Sequence, residues 1–125
     1  MNANEVAVEL VALCQKGEFT KAMETLYSKD IVSVEAMAMP PMPAEIKGID
    51  AVMAKGKWWM DHHEIHGSKA EGPYLHGEQF IVKFEMDVTF KPTGIRMQMT
   101  ETALYTVAAG KVVKEEFFYL APPKK

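Results

Sequence analysis

Four acidic side chains in this sequence occupy positions where a carboxylate has chemical work available to it. Glu101 falls between Met99 and Ala103 on the apolar parity of an alternating segment. A carboxylate there either reaches a cavity and is desolvated, which raises its pKa and suits it to proton transfer, or is turned outward by a β-bulge. Glu35 closes a short β-branched run, just before a proline-rich segment, and strand ends beside irregular loops are where folds present groups to ligands. Glu115 and Glu116 are adjacent, so a strand sends one to each face, and parity alone does not choose between them.

The run Asp61-His62-His63-Glu64-Ile65-His66 invites comparison with a metal site. The zinc-protease pattern needs two histidines four apart with a glutamate directly after the first, and His63-Glu64-Ile65-His66 is one residue short. We therefore expect no metal and no cofactor. His63 reads instead as a hydrogen-bonding pocket group on the inward face of a helix, in phase with Val52, Gly56 and Trp59. Trp58 points elsewhere and suits a contact surface. Cys14 stands alone, in an apolar helical neighbourhood with no histidine near it, and reads as core.

These groups must be held by one domain. The 125 residues carry a formal charge of −3, with 25% charged and 48% hydrophobic residues, which excludes disorder. A single cysteine excludes a disulfide framework and fits a reducing, cytoplasmic setting. No apolar run reaches the roughly 18 residues that span a bilayer, and residues 1–9 lack the cations of a signal peptide. The absence of a Lys/Arg cluster argues against nucleic acid, and no glycine-rich loop offers a phosphate cradle. The expected partner is a small hydrophobic ligand, with neither membrane nor nucleic acid.

Periodicity supplies the elements. Val6, Leu10 and Leu13 predict a first helix that stops at Gly17; residues 21–27 predict a short second one, with Thr20 as its cap. Residues 30–35 read as a strand. Residues 36–47, with prolines at 40, 41 and 43, read as an irregular apolar loop. Gly48 opens a third helix over 49–63. A weak strand over 65–74 is broken by Gly72-Pro73. Strict alternation then predicts strands over 79–90, 95–107 and 112–120, with turns at 92–94 and 108–111. Helices first and long strands after give an α+β order, helices packed on one face of a curved antiparallel sheet.

Two helices leading into DIVSVE, a glycine before the third helix (GIDAV) and a final AAGKVVKEEFFY strand together resemble the SnoaL-like proteins of the nuclear transport factor 2-like superfamily. Ketosteroid isomerases and polyketide cyclases are relatives. The resemblance covers essentially the whole chain, a single domain over 1–125. It implies a cone-shaped barrel, a curved antiparallel sheet wrapped around three N-terminal helices, with a pocket inside, and pairing as a homodimer. It places Glu35 where the isomerases hold their general base. It places Leu10, which cannot donate, where they hold an oxyanion tyrosine, and Glu101 is the acid nearest their second oxyanion group. Counting from Gly110 as in the isomerases turns Glu115, Phe117 and Tyr119 inward.

The expected catalytic set is therefore Glu35, Glu101 and Glu115, with Trp59, His63, Met97, Met99, Phe84 and Tyr119 around the pocket. Isomerase- or cyclase-type chemistry by a carboxylate base is one reading; a binding or dimerisation module without turnover is the other. Ten methionines are many for this length. Beyond filling gaps, Met37, Met39, Met42, Met53, Met60, Met86, Met97 and Met99 are expected to wall the cavity around Glu35 and Glu101 with adaptable apolar surface.

Overall fold

The first helix, α1 (Ala3–Gln15), starts on a reciprocal cap. Asn2 Oδ1 accepts from the Glu5 amide at 2.8 Å, and the Glu5 carboxylate accepts from the Asn2 amide at 3.0 Å. In this computed structural model, which describes residues 1–38 and 42–120, Val6, Leu10 and Leu13 are buried as their spacing predicts. Helix α2 (Phe19–Leu26) begins at Glu18, so Thr20 lies inside it and caps nothing.

Strand β1 (Tyr27–Val34) follows without a loop, three residues earlier than alternation suggests. Glu35 sits just past its end. The segment that read as irregular contains a strand after all, β2 (Glu45–Lys47), antiparallel to β1 with Ser33 opposite Ile46. The last proline is Pro43, so every amide from 44 to 47 is free to join a ladder. Met39, Pro40 and Pro41 lie outside the described residues.

Helix α3 (Ile49–His62) starts at Gly48, whose φ of +92° few other residues adopt. Strand β3 (His63–His76) takes over at once and is longer than predicted. Its pairing shifts at Ile65/Gly67 and again at Glu71/Tyr74, where Pro73 has no amide to donate. Strands β4 (Gln79–Phe90) and β5 (Ile95–Ala108) pair without a break, from Gln79 opposite Thr106 to Phe90 opposite Ile95. Strand β6 (Lys111–Phe118) returns along β5 and ends two residues short of the expected limit.

The fold class is the expected α+β one, with two differences in the sheet. The order is β2-β1-β6-β5-β4-β3, so the sheet is open at both edges and not closed into a barrel. The pairing of β1 with β6 is parallel; all others are antiparallel. Three hairpin reversals from β3 leave β6 running in the direction of β1, and α3 carries the chain between the two ends of the sheet. Leu10, Ile31, Val52, Phe80, Val82 and Val112, all almost fully buried, form the core between helices and sheet. Among the described residues no helix is long and apolar enough to cross a membrane.

Candidate active site

Alternation along β1 turns Ile31 and Ser33 into the core and leaves Glu35 at its mouth. On β6, Glu115 lies opposite Ser33 across the parallel ladder, and on β5, Glu101 lies opposite Phe84 of β4. Helix α3 closes the other side with Val52, Lys55, Gly56 and Trp59. Between them is a cavity of about 180 Å³. Glu35, Glu101 and Glu115 all line it, with Leu10, Met23, Phe84 and Phe117 among its apolar walls.

The acids differ in environment. Glu115 is 4% exposed and almost surrounded by protein. Burial pushes its pKa up, against the opposing pull of hydrogen bonds from the Tyr27 and Ser33 hydroxyls. Its neighbour Glu116 faces outward beside Lys114, 3.7 Å away, which answers the question parity left open. Among the described residues Glu101 has no such donors. Burial first, then the nearby Glu35 and Glu115 charges, push it up to about 7, and the Lys55 ammonium offsets part of that. Glu35 keeps an ion pair with Lys55 at 3.1 Å and accepts from the Tyr119 hydroxyl at 3.2 Å. Burial and the Glu35 carboxylate raise Tyr119 itself to about 12.

Lys55 links these groups. Its Nζ donates to Ser33 Oγ at 2.5 Å and to Glu35 Oε1 at 3.1 Å. Ser33 in turn bonds to Glu115, which accepts from Tyr27. A chain of polar contacts therefore runs Tyr119–Glu35–Lys55–Ser33–Glu115–Tyr27; Tyr119, expected at the pocket, and Ser33 hold lining residues without lining the cavity themselves. Three members of this chain of contacts are not among the residues that sequence pattern singles out. Lys55 stands three residues after Val52 and four before Trp59, so the helical stripe already held it. Ser33 shares the inward parity of Ile31. Tyr27 has the same parity, but the β1–β6 register shifts between it and Val32, so parity alone does not place it beside Glu115.

Other expectations need correcting. His63 is buried but does not line the cavity. Its Nδ1–H donates to the Trp59 carbonyl at 2.8 Å, and its ring stacks on the Trp59 indole at 4.1 Å. The helix ends at His62, so the histidine backs the tryptophan and does not face the cavity. Burial lowers the His63 pKa. Met97 and Met99 share the strand face of Glu101 and are half-buried, but neither lines the cavity. Met23, Met60 and Met86 line it instead. Met37 and Met42 line a smaller hollow of about 30 Å³, shared with Glu35, Lys55 and Trp59. Cys14, expected as core, is buried and also lines the main cavity; burial pushes its thiol up to about 12. No cluster of metal-binding side chains occurs among the described residues.

An open sheet with three helices across one face, enclosing carboxyl groups in an apolar cavity, has the nuclear transport factor 2-like, ketosteroid isomerase-like fold. Residues 1–119 match the SnoaL-like domain, and the chain belongs to that family. A Mesorhizobium loti protein provisionally named a SnoaL-like polyketide cyclase, and also a carbohydrate phosphatase, is 42% identical. It aligns over 95% of this chain and 100% of its own, with a TM-score of 0.90. A Bacillus subtilis protein provisionally named an isomerase is 20% identical over 94% of this chain and 88% of its own, TM-score 0.75. A Catenulispora acidiphila protein of ketosteroid isomerase-like fold, crystallised with trimethylamine, is 15% identical over 90% and 84%, TM-score 0.71. The last two share the fold alone. Among curated proteins, none matches the chain.

Proposed function

We propose that this protein binds a small apolar molecule and performs acid–base chemistry on it, of the isomerase or cyclase type. The observation that carries this is the convergence of Glu35 and Glu101 on one apolar cavity, with Glu101 held at about 7. A carboxyl group poised at neutral pH can both donate and accept a proton. Glu35, charge-balanced by Lys55, removes a proton alpha to a carbonyl. The C–H electron pair becomes a C=C bond and negative charge moves to the carbonyl oxygen. Protonated Glu101 donates a hydrogen bond to that oxygen. Return of the proton to another carbon completes an isomerisation; attack of the carbanion on a second carbonyl closes a ring.

The test is a carboxyl-carbon NMR titration of the glutamates in the ligand-free protein, joined to solvent deuterium exchange into small carbon acids. Glu101 titrates near 7, and Glu35→Gln abolishes exchange. Ordinary titration of Glu101 and Glu115, near about 4.3, removes the acid–base reading. A second reading, binding without turnover, is favoured by Leu10, an apolar side chain in the cavity wall where the isomerase pattern holds a donor. It predicts ligand binding with no exchange. The protein works in the cytoplasm as a homodimer in either case, paired through the outer sheet face where Tyr74, Ile81 and Phe118 are exposed. Light scattering of Ile81→Lys, which is expected to shift dimer to monomer, tests the pairing.

A further inference from the structure

The main cavity and the smaller hollow meet at Glu35, Lys55 and Trp59. The ammonium at this junction is under-used. It carries three N–H donors. One goes to Ser33 Oγ and one to Glu35 Oε1. Among the described residues no hydrogen bond takes the third. The Phe117 ring lies 5.4 Å from Nζ, and a ring face is a weak partner. The Lys55 side chain is only 13% exposed, so bulk water has little access to it. Its spare donor belongs to the two spaces whose walls it forms.

The sizes of those spaces constrain what can lie there. An apolar cavity of roughly 150 Å³ takes up benzene, and roughly 30 Å³ is the share of one water in the liquid. The 180 Å³ cavity therefore suits a six-membered ring with an atom or two attached, and the 30 Å³ hollow suits a methyl group. The polar junction between them is bordered by the Lys55 ammonium and its Glu35 partner; the donor left over is on Lys55, so the ligand atom that meets it is a hydrogen-bond acceptor.

We propose that the two spaces are arms of one site, and that Lys55 recognises the carbonyl oxygen of a small ring-bearing methyl ketone, ring in the cavity and methyl in the hollow beside Met42. This rests on the reading of the cavity as a ligand site and adds a donor that the Leu10 position cannot supply. It also sets the methyl carbon next to Glu35, the proposed base.

The probes are acetophenone and α-methylstyrene, the same shape with the carbonyl oxygen replaced by a methylene. A hydrogen bond to a charged donor is worth roughly 1.5–3 kcal/mol, so acetophenone binds the wild-type protein about tenfold or more tighter than α-methylstyrene. In Lys55→Met that ratio falls to about one, with α-methylstyrene affinity within about threefold of wild type. The infrared stretch of carbonyl-labelled acetophenone bound to the wild-type protein lies below its frequency in hexane, and this holds whether or not Lys55→Met folds. Met42→Ala widens the hollow and moves the preference from acetophenone towards butyrophenone. Equal binding of the two probes to wild type, with an unshifted carbonyl stretch, overturns the Lys55 assignment and leaves the cavity as an apolar site. Binding of neither probe overturns both. An unchanged ketone preference in Met42→Ala overturns the two-armed site.

Discussion

Replacing Glu101 by glutamine should stabilise the protein, and only above the pH at which an ordinary glutamate ionises. In the folded protein Glu101 holds its proton up to about 7, against an ordinary 4.5, chiefly because burial penalises the charge. Between those values the native state binds more protons than the unfolded chain, so stability falls as pH rises through that window and levels off above it. The gap from 4.5 to about 7, at about 1.4 kcal/mol per pH unit, comes to about 3 kcal/mol at pH 8. Glutamine keeps the shape and removes the ionisation. Glu101→Gln should match wild type at pH 4.5 and exceed it by up to about 3 kcal/mol at pH 8. For a domain of this length that is roughly 10 °C in Tm. Urea unfolding across pH 4.5–8.5, followed by tryptophan fluorescence, measures it. A difference between the proteins that is constant with pH, or that grows towards acid, would refute the burial of an ionisable Glu101 and its part in proton transfer.

Gly56→Ala tests the cavity wall. An added Cβ would lie 2.9 Å from Met23 Cε, the mobile end of a flexible side chain, and alanine gains about 1 kcal/mol of helix propensity. We expect unchanged or slightly higher Tm, with Met23 displaced into the cavity and benzene-type probes bound roughly tenfold more weakly. Cys14, buried with its thiol raised to about 12, should resist iodoacetamide at pH 7.5 in the native protein and react fully in urea, as intact-mass spectrometry would follow. Rapid native labelling would mean that the cavity side of α1 opens readily.

Much of this protein can be read from local pattern. Alternation along β4 and β5 fixes two paired strands and places Glu101 on the buried face, because successive side chains leave a strand on opposite sides. Helical spacing does the same for Leu10, Val52 and Trp59. It also holds Lys55, whose position on an apolar stripe was a legible signal.

What pattern could not supply is which faces meet. Strand β2 escaped notice because three residues beside prolines have no period of their own; pairing with β1 makes them a strand. Met97 and Met99 have the parity of cavity residues yet do not line it, although Met86, directly opposite Met99 on β4, does. His63 lost its place at the cavity when α3 stopped one residue earlier and β3 began. The pairing of β1 with β6 decided most. It sets Ser33 beside Glu115, so the Lys55 ammonium reaches across from α3 to join residues 22 positions apart and, through Ser33, the acid on the last strand. The sequence by itself determined the elements, their buried faces and the carboxyl groups on them, since those follow from periods of two and 3.6 residues. Only tertiary structure decided which carboxyl shares a cation and which stays alone to be pushed up to about 7, because charge interactions depend on distance through space and on the water excluded between the groups.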